Sequence, residues 1–457
     1  MDISKFNTIH FIGIGGISMS SLAEILLNEG KTISGSDSKA SELTERLKKC
    51  GIKVYIGQCA ENIRPEYDLI VYTAAISADN PELIAAKQSG AAVIDRAALV
   101  GMMMLTYKYP VSVAGTHGKT TTSSILSEIF MAAGKDPTIS LGGILPSIGG
   151  NFRIGGREFF LLETCEYQDS FLKFNPHSAI ILNVDKDHTD YFTDLEHIYR
   201  SFNTFAKRLP QGGTLVVNSD IKDIEKVTNG VSAKIVTYGR EGDWTAENIG
   251  FDAAGFGSYS AYYKGEKQAD IQLSIPGMHN VYNSLAAFAL AKVYGLETKD
   301  IVKGIDNYKG VDRRFQRKGA FDGVAVVDDY AHHPTEIAAT ISSARAGHIK
   351  NLWIAFQPHT YTRTHDLLDE FANALSKADD VVILDIYAAR EKDTGLVHSR
   401  DLVDKINALG GAKAHYLPDF ESAEEYLSHT CKKGDMLITM GAGDIYKLGE
   451  MLVRKES

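Results

Sequence analysis

Cysteine is scarce in this chain of 457 residues: there are four, at Cys50, Cys59, Cys165 and Cys431. They form no C-x-x-C pair and no zinc spacing, so they read as reduced thiols of a cytoplasmic protein. No run of 18 apolar residues occurs, and no membrane span is expected. Met1 to Ile12 is short and polar before its first apolar run. That run leads into glycines, which fits a strand and loop and not a signal peptide. Positive charge is in deficit as well: 48 Lys and Arg face 58 Asp and Glu, a net charge of −10. A general nucleic-acid binder is thereby disfavoured, and anionic substrates need local basic pockets because there is no global positive field. Internal repeats and low-complexity tracts are also missing.

What is present is the composition of a globular α/β protein, 44% hydrophobic and 23% charged, too long for one ordinary core. Thr8 to Ile12 has the pattern of a short buried strand. Leu22, Ile25 and Leu26 follow at helical spacing, and strands recur at Thr32 to Ser34 and Leu69 to Tyr72, the βαβ rhythm of a doubly wound parallel sheet. A new start comes at Pro110, where Val111 to Ala114 feeds a glycine-bearing loop and then a helix. Further strands are expected at Phe159 to Leu162, Ala179 to Asn183 and Thr214 to Asn218. Short antiparallel strands are expected within Tyr238 to Gln272, and a helix over Val281 to Tyr294. A third unit has strands at Val324 to Val327, Leu352 to Phe356, Val381 to Asp385 and Met436 to Met440, with a helix at Thr364 to Lys377. The expected fold is α/β in three consecutive domains. These are a Rossmann-like unit over 1–108, a P-loop ATPase-type unit with a parallel sheet and a small antiparallel sheet over 109–310, and a Rossmann-like unit over 311–457.

Several loops carry chemistry. Gly13, Gly15 and Gly16 lie between a strand and a helix, where backbone can approach phosphate. The third glycine of a dinucleotide fingerprint would fall at Ser18, which favours UDP over NAD. Asp37 stands where a ribose-binding acid belongs. Gly115, Thr116, His117, Gly118, Lys119, Thr120 and Thr121 form a stronger signal. Backbone N–H groups there can cradle phosphate, Lys119 can reach the β- and γ-phosphates, and the Thr120 hydroxyl can ligate Mg²⁺. The loop is shorter than the general G-x-x-x-x-G-K-[ST] form. Glu163, with Glu166 three residues on, and His188 follow strand ends. With Thr120 they can hold a divalent metal beside ATP, although His188 taken alone reads as a surface loop residue. His279, Asn280 and Asn283 offer hydrogen bonds suited to a base, or are the polar start of a helix. Arg313 and Arg314 suit phosphate clamping at a domain junction, or are a solvated basic pair.

In the third unit, Asp328-Asp329-Tyr330-Ala331-His332-His333-Pro334-Thr335-Glu336 packs many titratable groups into one strand-to-helix turn. A helix start explains Pro334 and Glu336 but not the histidines. Gln357 to Thr364, Tyr387 to Glu391 (with Arg390) and Gly441 to Ile445 also follow strands, so four polar loops are expected to line one cleft.

Together these motifs resemble the Mur ligase family over the whole chain. Gly115 to Thr121 matches that family's own G-T-x-G-K-T-T loop. The first glycine loop, Asp328 to Glu336 and Phe356-Gln357-Pro358-His359 resemble its muramate:alanine branch. The resemblance implies UDP-sugar binding by the first domain, ATP binding by the second and amino-acid binding by the third, with UDP-N-acetylmuramate, L-alanine and ATP as substrates and Mg²⁺ as cofactor. By position, it implies that Lys119 holds the ATP phosphates and that Thr120, Glu163 and His188 ligate magnesium. His279, Asn280 and Asn283 are then placed near adenine, and Tyr330, His332 and Arg363 beside the reacting carboxylate and amine. The chain departs from the family at Ser18 and Ser21, where many members have glycine, and at Thr360, where many have arginine. No carbamoylated lysine is expected, and the expected assembly is a monomer or weak homodimer.

The chemistry implied is attack of a carboxylate on the γ-phosphate of ATP, then of a neutral amine on the acyl phosphate. The rivals are a sibling that attaches a whole peptide to the same sugar, a folylpolyglutamate-type ligase, a nicotinamide oxidoreductase using the Gly13 loop, and a non-catalytic nucleotide-binding regulator.

Overall fold

The computed structural model describes residues 2–73, 75–187, 191–252, 255–345, 347, 349–389 and 391–454. Among them are three sheets. The first has five strands in the order Lys53–Ile56, Thr32–Asp37, Thr8–Ile12, Leu69–Tyr72, Ala92–Asp95, all parallel. Strand order reverses about Thr8–Ile12, so the loops after it and after Leu69–Tyr72 open a crevice at the C-terminal edge. Gly13 closes that crevice tightly: its φ is 85°, and a Cβ there would stand 2.7 Å from the Thr73 Cγ2.

The second sheet runs Glu266–Pro276, Phe256–Tyr263, Trp244–Phe251, Lys234–Tyr238, Thr214–Asn218, Ser178–Ile181, Tyr109–Ala114, Phe159–Glu163, Thr138–Leu145, Gly150–Arg153. The expected antiparallel strands are longer than the sequence implied, and they extend the parallel sheet through the single pair Tyr238↔Trp244. Tyr109–Ala114 lies between Ser178–Ile181 and Phe159–Glu163, all parallel, so the phosphate loop, Glu163 and the stretch after Ile181 emerge side by side.

The third sheet runs Gln316–Phe321, Val324–Asp329, Met436–Met440, Leu352–Phe356, Asp380–Ile383, Lys413–Tyr416, parallel except at its first strand. The single helix expected over Thr364 to Lys377 is instead two, Tyr361–Asp366 and Leu368–Leu375, broken at Leu367 where φ is −117°. Apolar periodicity continues through Leu367 because its side chain is still buried, so the pattern conceals the break.

The helix that follows the phosphate loop, Lys119–Ala132, is buried along most of its length, serines included. A second helix, Thr298–Asn307, crosses it at Gly304, where an added Cβ would stand 2.3 Å from the Ile129 Cα. We expect Gly304→Ala to force the two helices apart and to lower stability by about 1–3 kcal/mol, as overpacking does. Denaturant titration measures this, and an unchanged midpoint would show that the crossing yields without cost.

Candidate functional site

The phosphate loop is shaped by glycines at two points. Gly115 has φ 141°, and Gly118 has φ 81° with its Cα 's missing side chain facing Asn283, whose Oδ1 would lie 2.7 Å from a Cβ. Any side chain at Gly118 thus meets both backbone strain and a clash. Asn183 reads the loop's backbone in both directions: its Oδ1 accepts from His117 N–H at 2.7 Å, and its Nδ2 donates to His117 C=O at 3.0 Å. Asp185 N–H donates to the Thr116 hydroxyl at 3.0 Å. The segment that follows the neighbouring strand Ser178–Ile181 therefore fixes its shape.

Lys119 folds back over the loop, donating to the carbonyls of Gly115 at 2.6 Å and Thr116 at 2.8 Å, with the Glu166 carboxylate 3.1 Å away. Burial works against the Lys119 cation, and Glu166 together with its other acidic neighbours, Glu163 among them, more than offsets it, raising the pKa. His117 sits between two carboxylates, with Nε2 3.4 Å from Asp185 and Nδ1 3.5 Å from Glu336. Burial lowers its affinity for the proton, and the two acids more than restore it, lifting the pKa to about 9.

A cavity of about 200 Å³ opens between this loop and the third sheet. Its walls include His117, Gly118 and Thr121 on one side, His279, Asn280 and Asn283 on another, and Arg314, Asp329 and Glu336 opposite. The helix Met278–Val293 is preceded by Gly277 with no side chain capping it, and His279, Asn280 and Asn283 in its first two turns line the cavity. Asn280 donates to Pro276 C=O at 2.7 Å and its Oδ1 accepts from Asn283 at 3.0 Å, which sets both amides. Burial, then the Arg314 charge, drops His279 to about 4, so it is neutral at physiological pH.

The arginine pair divides. Arg313, in a left-handed conformation with φ 64°, donates to Asp328 at 3.1 Å and to Gly441 C=O at 2.7 Å, a structural role. Arg314 faces the cavity, 3.7 Å from Glu336. The Tyr330 ring lies under both guanidiniums. His332 is driven to about 4, first by burial and against the pull of Glu336; its Nδ1 lies 3.0 Å from Tyr330 C=O. That contact assigns the proton of the neutral ring to Nδ1 and leaves Nε2 as an acceptor. Arg363 Nη2 donates to Asp187 Oδ1 at 3.1 Å. Thr360 holds φ 66°, ψ 145°, a conformation foreign to β-branched residues, and its N–H donates to Tyr387 C=O at 2.9 Å. With Gln357 N–H on Met440 C=O and Gly441 N–H on Asp329 C=O, the four polar loops of the third sheet are laced into one edge.

In the first sheet, Gly15 N–H donates to Asp37 at 2.9 Å, Gly16 precedes the helix Ile17–Asn28, and the Ser18 hydroxyl accepts from Arg96 at 3.1 Å. Glu163 accepts from Gly142 N–H at 2.7 Å. Thr120 and Glu163 flank one glycine pair: a Cβ on Gly143 would stand 3.2 Å from the Thr120 Cγ2, and one on Gly142 2.5 Å from Glu163. A hydroxyl and a carboxylate beside a phosphate loop are hard oxygen donors of the kind magnesium takes together with nucleotide phosphates, so these residues fit that ion. His188 and Arg390 lie outside the described residues.

Asn183, Asp185, Asp187 and Tyr308 carry no site role in the sequence reading, which names Asp329 only as part of the titratable cluster and explains Glu336 by the helix start. Burial raises Asp329 to about 6, against the Arg314 charge, and it accepts two backbone N–H groups, from Phe315 and Ala331, each at 2.8 Å. Its position at the end of a parallel strand was the available signal.

A glycine-bearing strand-to-helix loop on one sheet, faced across a cavity by arginine and carboxylate groups from another, is the arrangement of a nucleotide-binding enzyme class. Comparison with known proteins narrows the class. The model described as "Mur ligase family, catalytic domain" matches residues 8–108, "Mur ligase middle domain" matches 113–291, and "Mur ligase, glutamate ligase domain" matches 313–443. The chain belongs to the Mur ligase family. A UDP-N-acetylmuramate–L-alanine ligase of Acetivibrio thermocellus is 50% identical over 457 residues, 99% of this chain and 97% of its own. The crystal structure of the UDP-N-acetylmuramate–alanine ligase of Thermotoga maritima is 27% identical, with TM-score 0.81 over 98% of this chain and 99% of that one. A murein peptide ligase of Psychrobacter arcticus, 24% identical with TM-score 0.72 over 98% of each chain, shares the fold.

The His117 contacts make stability depend on pH. Its folded pKa of about 9 exceeds the ordinary 6.5, so the stabilisation is complete below pH 6.5 and is lost as pH rises through 9. We expect Tm to fall over that window, and to fall less in His117→Asn. Thermal melts at closely spaced pH values check this; equal slopes for the two proteins would exclude the ion pairs as the cause.

Proposed function

We propose that this chain is an ATP-dependent ligase that adds L-alanine to the lactyl carboxylate of UDP-N-acetylmuramate, in peptidoglycan precursor synthesis. The observation that carries this reading is the cavity shared by the Gly115–Thr121 loop and the third sheet, in a chain whose relatives of about half identity are UDP-N-acetylmuramate–L-alanine ligases. The peptide-adding alternative has the weaker likeness, with murein peptide ligases of 24% and 27% identity against alanine ligases of about half identity. The enzyme works in the cytoplasm, as a monomer or weak homodimer. None of its described helices is long and apolar enough to cross a membrane.

In this reading residues 1–108 bind the UDP-sugar, with Gly13, Gly15 and Gly16 at the diphosphate and Asp37 at the ribose. Residues 109–310 bind ATP, and 311–457 present the amine. The lactyl carboxylate attacks the γ-phosphorus, ADP leaves, and an acyl phosphate forms; the amine then attacks the acyl carbon and phosphate departs. Two anions must meet in the first step. Lys119 supplies charge at the transferring oxygens, and Arg314 supplies more from the facing wall. Thr120, Glu163 and His188 are the residues that would hold magnesium, which contributes charge neutralisation when bound. In the second step the neutral amine needs an acceptor for the proton it sheds, and His332 Nε2 is available. Arg363 already binds a carboxylate, that of Asp187, and is the residue we assign to the alanine carboxylate. Closure of the third sheet over the loop keeps water from the acyl phosphate.

Phosphate release with UDP-N-acetylmuramate, ATP and single amino acids or the tripeptide tests the reading. L-Alanine is expected to be the best amine, and preference for the tripeptide would transfer the assignment to the peptide-adding sibling. Lys119→Ala is expected to lower turnover by on the order of 10²–10³, the usual loss when one preorganised donor is removed. Near wild-type turnover in the folded variant would exclude Lys119 from phosphoryl transfer. Arg363→Lys keeps charge but loses the planar fork, so the alanine KM should rise while the ATP KM holds. The reverse pattern would make Arg363 a phosphate ligand.

A further inference from the structure

Glu336 stands in the wall between the two halves of the site, and its two oxygens face opposite ways. It is the third residue of the helix Pro334–Arg345, and its side chain is only 13% exposed. Oε1 lies 3.5 Å from Nδ1 of His117 on the phosphate loop and 3.7 Å from Nη1 of Arg314. Oε2 accepts the backbone N–H of His332 at 3.2 Å and lies 3.4 Å from that residue's Nδ1.

An ordinary helix start explains little of this. A glutamate at this position normally reaches back to the N–H of the residue just before the helix. Here it reaches one residue further, to His332, and its other oxygen leaves the helix for a loop of the second sheet. An anion beside a phosphate site also opposes nucleotide binding by Coulomb repulsion, so a plain binding role does not account for it. The contacts to His117 and Arg314 are longer than hydrogen bonds, and neither ring nitrogen of His117 makes a hydrogen bond of its own. Such contacts tighten or part with a small displacement of one sheet against the other.

We infer that Glu336 is a positioning residue that ties the phosphate loop to the amine side of the site, so that His117 and His332 come into register together. This rests on the reading that the cavity takes ATP and that His332 faces the amine. The nucleotide half of the site is thereby linked to the amine half by one carboxylate in the cavity wall.

The experiment compares the full-length wild type with Glu336→Gln, Glu336→Asp, His117→Asn and the Glu336→Gln/His117→Asn double variant. Steady-state phosphate release gives kcat and KM for ATP and for alanine, and calorimetry gives the Kd for ADP. Glu336→Gln should lower kcat by on the order of 10–100-fold, the scale of a small misplacement, and raise the alanine KM while leaving ADP binding intact. Glu336→Asp should recover part of that loss. The double variant should be no worse than its worse single, since each single already breaks the same link. Fully additive losses overturn the proposal, as does a Glu336→Gln protein that melts at lower temperature with wild-type kinetics, or one that loses ADP affinity with an unchanged alanine KM. Should Glu336→Gln fail to fold, Glu336→Asp decides alone: a lowered kcat with intact ADP binding supports the link, and wild-type kinetics overturns it. A wild type that releases no phosphate with any amine sinks the ligase reading itself and takes this proposal with it; the two failures are thus told apart by the wild-type control.

Discussion

Four cations gather where the second sheet meets the third, and each is matched to a carboxylate: Lys119 to Glu166, His117 to Asp185 and Glu336, Arg314 to Glu336, and Arg363 to Asp187. A chain of net charge −10 that must accept a nucleotide and further anions has to concentrate positive charge locally and keep it there. Buried charges without partners are costly, so the pairing makes the site compatible with a stable fold. Incoming phosphates and carboxylates then exchange places with, or settle beside, carboxylates that the protein already holds.

Two of these pairings, Arg363–Asp187 and His117–Glu336, together with the hydrogen bond of His333 to Lys186 C=O at 3.0 Å, join the second sheet to the third. They are polar, few and short-ranged, unlike the apolar packing that holds each sheet to its own helices. An interface of this kind suits a junction that opens for substrates and closes on them. It also places the chemistry where parallel sheets offer it, at the C-terminal ends of strands beside a change in strand order.

Glycine is the complementary constraint. At Gly118 backbone must turn with positive φ while Asn283 fills the space a side chain would take, and at Gly13 the turn lies against Thr73. Both close approaches depend on contacts with residues far along the chain.

The sequence by itself determined the three α/β units, the phosphate loop and the cluster of titratable groups after Val327, because strand and helix periodicity and turn chemistry are local properties written over short windows. It left open whether His279, Asn280 and Asn283 face a ligand or merely begin a helix, and whether Arg313 and Arg314 act together. Tertiary structure brings that helix start to the cavity wall and gives the two arginines different partners, Asp328 and Glu336. The roles of Asn183, Asp185 and Asp187 could not be read from the sequence for the same reason. Their roles arise from pairs separated by tens to hundreds of positions, such as Asn183 with His117 and Asp187 with Arg363. No periodicity encodes such a pair; it exists only once parallel strands have brought their C-terminal ends to one edge.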